Sequence, residues 1–206
     1  MENLYLILTI SGIHLLALIS PGPDFIMVVK NSIQYSRKIG IFTSIGFSIG
    51  ILVHLFYCIV GLSLILSTNE LIYNIFKILC SGYLIYMGIK SFKDNQIGNS
   101  SKKTKVDKIS YLKAIKIGFL TNVLNPKVSL FFLSLFSLMI TPKEIPFSIL
   151  IVLIIIIVTS TFIWFSLVAI FLTQKKVNNL FMKNFKYLNK IFGCILILIA
   201  IRIFLN

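Results

Sequence analysis

Acidic side chains are scarce in this chain: 6 Asp and Glu stand against 20 Lys and Arg in 206 residues. A bound divalent cation usually takes several oxygen or sulfur ligands, so a chain this poor in carboxylates is a weak candidate for a metal site. The three cysteines, Cys58, Cys80 and Cys194, each sit alone in an apolar run, without the spacing of a metal or redox pair. They read as small buried apolar residues. Also missing are a phosphate-cradling glycine loop and any nucleophile accompanied by a base and an orienting acid. These absences argue against an enzyme and against a cofactor, and they leave an ion gradient or a substrate gradient to drive any transport.

What the chain has in abundance is apolar sequence. Hydrophobic residues make up 57% and charged residues 13%, with a mean hydropathy of +0.96, and the apolar runs are too long for buried helices of a soluble domain. An integral membrane protein is expected. The positive charge lies almost wholly between apolar segments, where it reports topology and not nucleic acid. Near the start, Glu2 stands where a signal peptide carries basic residues, and no small-residue cleavage site follows. The first apolar segment is therefore expected to be retained.

Six segments follow in order: Leu4 to Ile19 with Phe25 to Val29 beyond a break, then Ile39 to Leu66, Leu71 to Ile89, Ile115 to Ile140, Ile145 to Leu172, and a shorter Ile191 to Leu205. Lysines and arginines crowd the connections after segments one, three and five, including Lys175, Lys176, Lys183, Lys186 and Lys190 before the last segment. Those three loops are expected in the cytoplasm and both termini outside. A basic linker, residues 94–110, separates a first half, 1–93, from a second half, 111–206. An odd number of spans per half forces opposite orientation, and overlaying Pro23-Asp24 on Pro126-Lys127 roughly superposes the halves. The fold class expected is thus an all-α membrane protein of six transmembrane helices in two inverted three-helix repeats, with helices 1 and 4 broken at proline motifs.

Those two breaks organise the chain. Pro21, Gly22 and Pro23 cannot continue a helix, and irregular backbone at membrane depth normally lines a cavity. Asp24 follows a proline suited to the first position of a restarted helix, beside unbonded amides and the positive end of the helix dipole. Its carboxylate either meets an amino group or a coupling proton, or only caps the helix; an idle charge at this depth costs about 2.5–3.5 kcal/mol. In the second half Asn125 reads as the cap and Pro126 as the first residue of another restarted helix, an anion-attracting end. Lys127 either holds a substrate carboxylate, pairs with Asp24 when the site is empty, or snorkels to the interface. Together these residues suit an amino acid zwitterion. Gly46, Gly50 and Gly61 on segment two suggest close helix packing. His54 on the same face either relays protons or satisfies a helix contact, and His14 is a weaker candidate of the same kind.

The stretches SPGPDF (Ser20 to Phe25), RKIGIFTSIGFSIGILVH (Arg37 to His54), SGYLIYMGIKSFK (Ser81 to Lys93) and GFLTNVLNPKVSLFF (Gly118 to Phe132) resemble the LysE/RhtB family of bacterial amino acid exporters over nearly the full length. The resemblance implies export of amino acids or close derivatives across the bacterial plasma membrane, driven by the proton motive force, by a small protein that forms a homodimer. Two alternatives remain: a divalent metal cation exporter, as in related families of the superfamily, and a non-transporting membrane scaffold.

Overall fold

The computed structural model describes residues 2–20, 22–66, 70–93, 109–137 and 145–205, and all of the secondary structure among them is helical. The first half holds α1 (Glu2–Ile19), α2 (Pro23–Gln34), α3 (Arg37–Leu66) and α4 (Glu70–Lys93). The second holds α5 (Tyr111–Val123), α6 (Pro126–Ser137), α7 (Phe147–Phe171) and α8 (Lys175–Leu205). Both halves begin with a helix broken where the sequence places proline. Pro23 opens α2 after an extended Gly22, and α1 and α2 together bend by 53°. Pro126 opens α6 one residue after Asn125.

Large apolar side chains cover the outside, and several polar ones are held within. Leu4, Leu8, Phe56, Leu124 and Phe147 are exposed, whereas His14, Asp24, His54, Asn122, Asn125 and Thr161 are buried. Water would favour the reverse arrangement; hydrocarbon requires this one. Among the described residues, α3 and α7 are long and apolar enough to cross a membrane alone, and α1 with α2 makes a third if the bent pair counts as one span. The protein is therefore an all-helical membrane protein, with fewer self-sufficient spans than the six expected. One reason is α5 and α6, which are short pieces on either side of a break. Another is α8. Its lysines, expected in a loop before segment six, instead form the first turns of one continuous 31-residue helix. At 1.5 Å per residue that is about 46 Å, longer than a hydrocarbon core of about 30 Å. Lysine and asparagine mark contact with water or headgroups, and neither stops a helix. The connecting residues 94–108, within the expected linker, lie outside the described residues.

Helix α3 is the centre of the packing, against α5, α7 and α2, while α4 packs on α8. Glycines set the closest of these approaches. A methyl on Gly46 would collide with the Ile115 carbonyl and stand 2.9 Å from Gly118 Cα; a methyl on Gly118 would collide with the Thr43 carbonyl. The same reciprocity joins α4 to α8, where a methyl on Gly88 would lie 2.9 Å from the Gly193 carbonyl and one on Gly193 2.7 Å from that of Gly88. Gly50 makes room for a side chain instead, since a methyl there would stand 2.6 Å from Asn122 Oδ1. Gly61 and Gly82 have nothing within 4 Å of the added methyl, so the packing face expected along segment two ends before Gly61.

Two apolar clusters fill the interior. One gathers Ile51, Leu55, Phe131, Phe132, Leu153 and Ile157; the other gathers Leu18, Phe25, Val28, Phe47, Phe165 and Val168. Between them runs the polar seam described below. The backbone contact between α3 and α5 yields a stability prediction: Gly46→Ala and Gly118→Ala each destabilise the detergent-solubilised protein by about 1–3 kcal/mol, as overpacking does. Gly61→Ala and Gly82→Ala leave its melting temperature unchanged. Thermal melts followed by circular dichroism check this, and a wild-type melting temperature for Gly118→Ala would refute the tight crossing.

Candidate functional site

The site is built from two helix breaks that meet. Pro23 lacks the amide that would continue α1 and sets the first turn of α2, which places Asp24 beside the unbonded amides of a helix start. Asp24 is 5% exposed. Its Oδ2 accepts from Asn122 Nδ2 at 2.6 Å and its Oδ1 from Asn125 Nδ2 at 3.0 Å. Charge-assisted bonds of this kind are the strong ones, and here they replace the hydration a buried carboxylate has lost.

Asn125 serves both breaks. Its Oδ1 accepts from the Lys127 amide at 3.0 Å and so caps α6. Because that oxygen is engaged by an N–H, the amide nitrogen is the end turned to Asp24. Lys127 then reaches back the other way: its Nζ donates to the Ser20 carbonyl at 3.0 Å and to Ser20 Oγ at 2.8 Å. Ser20 follows the last residue of α1, where carbonyls lack helical partners and a cation is favourable. The stem of Lys127 lies over Gly22, where a methyl would come within 3.2 Å of Cδ. Asp24 in the first half and Lys127 in the second thus each bind the other half. Of the three readings open for Lys127, the ammonium is turned inward, onto Ser20.

Asn122 extends the network to α3. His54 Nε2 lies 3.1 Å from the Asn122 carbonyl and Nδ1 lies 2.7 Å from the Tyr57 hydroxyl. A carbonyl only accepts, so Nε2 carries the proton, and the neutral ring accepts from Tyr57 at Nδ1. His54 therefore caps the end of α5 and stands one residue, Asn122, away from Asp24. Gly50 provides the space that Asn122 occupies.

A cavity of about 50 Å³ lies at this seam, room for a few water-sized groups. Gly22, Asp24, Asn125 and Lys127 line it, as sequence reasoning grouped them, and so do Ser20, Asn122, His14 and Thr161. Pro23 and Pro126 are exposed and shape the breaks without lining the cavity. Pro21 lies outside the described residues. His54 stands behind Asn122 and is not part of the lining. Sequence reasoning missed Asn122, Ser20 and Thr161 as site residues. The signal for Asn122 was present, a polar amide inside an apolar run one turn before Asn125.

The profile of the LysE type translocators matches residues 15–206. The chain is 28% identical over 194 residues to an uncharacterised membrane protein, YrhP, of Bacillus subtilis, covering 89% of this chain and 91% of that protein. It is 32% identical over 141 residues to the threonine efflux protein of Escherichia coli K12, covering 66% of each, and 33% identical over 141 residues to that of Salmonella typhi, again 66% of each. No solved structure matches. With nearly the whole chain matched, this protein belongs to the LysE type translocator family.

Proposed function

We propose that this protein exports an amino acid or a close derivative across the bacterial plasma membrane, with the zwitterion held between Asp24 and the Asn125–Lys127 end of α6. The observation that carries this reading is the presence of one buried carboxylate and one half-buried, inward-turned ammonium at a single cavity formed by two helix breaks. Asp24 keeps lone pairs for a substrate ammonium after taking two amide donors, since a carboxylate accepts about four bonds. Lys127 has a partner to exchange. A substrate carboxylate at the α6 N-terminus competes with Ser20 for the ammonium. Binding then loosens the tie between α1 and α6, and release restores it, which links occupancy to the conformation of both breaks. The names of the Escherichia and Salmonella relatives support an amino acid as cargo. The divalent-cation alternative is less well served, because the one carboxylate of the lining is already engaged by two amides.

The proposed frame is six crossings in two inverted halves, with both termini outside. It is supported by the matching proline-started helices and by the reciprocal Gly88 and Gly193 contact at corresponding places in the halves. Proton coupling is assigned to the Asp24 carboxylate itself, with His54 acting on it by holding Asn122, the residue whose amide donates to Asp24.

Efflux from cells loaded with a labelled amino acid panel tests the assignment. Asp24→Asn and Lys127→Ala, at membrane expression equal to wild type, each lower the initial rate about 10-fold or more, the size expected for losing a charged hydrogen-bond partner. Wild-type rates in Asp24→Asn overturn the site. Asn122→Ala, which leaves the carboxylate one donor short, lowers the melting temperature by an amount equivalent to about 1–3 kcal/mol. For coupling, His54→Gln in proteoliposomes retains substrate exchange and loses accumulation against a gradient under an imposed pH difference. Retained accumulation removes His54 from the coupling.

A further inference from the structure

One polar pair at the cavity plays no part in the zwitterion site. His14 on α1 and Thr161 on α7 both line the cavity, and His14 is 2% and Thr161 0% exposed. His14 Nε2 lies 3.1 Å from Thr161 Oγ1. The Thr161 hydroxyl donates to the Ile157 carbonyl at 2.8 Å, so its single proton is committed. Oγ1 can only accept from the ring, and Nε2 must be the protonated nitrogen. The other nitrogen of the neutral ring, Nδ1, is then a bare acceptor. It is buried and has no hydrogen-bond partner. An acceptor left in that state costs about 1–3 kcal/mol, which a ligand supplying a donor recovers.

The surroundings decide what kind of donor fits. Phe132 packs on His14 at 5.7 Å between ring centroids, and Phe131 and Phe165 complete the apolar wall. Among the described residues, Asp24 is the one acidic residue of the lining, and it is assigned to the substrate's ammonium. A second cation beside His14 would be buried without a counter-charge, whereas a hydroxyl needs only the acceptor. The cavity has room for a few water-sized groups. We infer that His14 and Thr161 form a subsite that reads a hydroxyl on the substrate's side chain, selecting short hydroxylated amino acids over their apolar isosteres. This rests on the amino-acid reading above and adds the two residues that set its specificity.

Threonine and valine, which differ by a hydroxyl in place of a methyl, are the probes. Initial counterflow rates are measured for both in proteoliposomes of the full chain. Wild type favours threonine by about 10-fold or more, within the range for a site whose buried acceptor goes unpaired with the isostere. His14→Leu brings the ratio of threonine to valine rates to within about twofold. Thr161→Val, which removes only the hydroxyl that fixes the ring's tautomer, lowers the ratio in the same direction. His14→Asn, whose Oδ1 takes a position near Nδ1, keeps more of the preference than His14→Leu. Equal wild-type rates overturn the inference, as does a ratio unchanged in Thr161→Val and His14→Leu. In either case the amino-acid reading stands because both probes still move. If no amino acid moves with folded, inserted protein, that reading falls and the subsite with it.

Discussion

A carboxylate and an ammonium drawn inside a membrane protein must each be compensated by protein, and the rest of this structure depends on how that is done. Asp24 and Lys127 do not simply neutralise one another. Each is held by hydrogen-bonding groups of the opposite half: Asp24 by Asn122 and Asn125, Lys127 by the carbonyl and hydroxyl of Ser20. The unbonded ends of the broken helices become the solvent for these charges. Breaking a helix at membrane depth is costly in isolation, and here it supplies the dipoles and carbonyls that the charges require.

This explains the order of the interior. Apolar residues form two clusters, and the charges with their amide partners occupy the seam between them. His54 and His14 sit at the margins of the seam, on either side of Phe132, at 6.0 and 5.7 Å between ring centroids. Both rings have their tautomer set by a neighbour that cannot donate: a carbonyl for His54, and for His14 a hydroxyl whose proton is used elsewhere. The outcome differs. At His54 the second nitrogen is matched by Tyr57, and at His14 it is unmatched.

Much of this was legible in the sequence, because some of its causes are local. Proline removes a donor wherever it stands, so the breaks at Pro23 and Pro126 and the cap at Asn125 could be read directly, as could the membrane character of the apolar runs. Asn122 stands out only as a polar amide in an apolar run; its role is not legible, since it depends on which face of α5 meets Asp24, and Gly50 on a different helix makes room for it. The direction of Lys127 was open for the same reason: several acceptors lie within reach of a long side chain, and only packing selects Ser20. From sequence alone the lysines of α8 suggest a loop, because charge commonly marks the connections between apolar segments. Charge specifies contact with water or headgroups, and a helix provides that contact equally well.

The Gly46 and Gly118 crossing has a mechanical consequence. With backbone against backbone and no side chains between them, α3 and α5 have no soft layer on which to slide, so they act as one stiff body. Asn122 rides on that body, and the hydrogen bond from its amide is fixed in space. The pieces beyond the breaks, α1 and α6, are joined to each other by the lysine that spans them. The fixed frame behind the cavity is thus made by two residues that have no side chain at all.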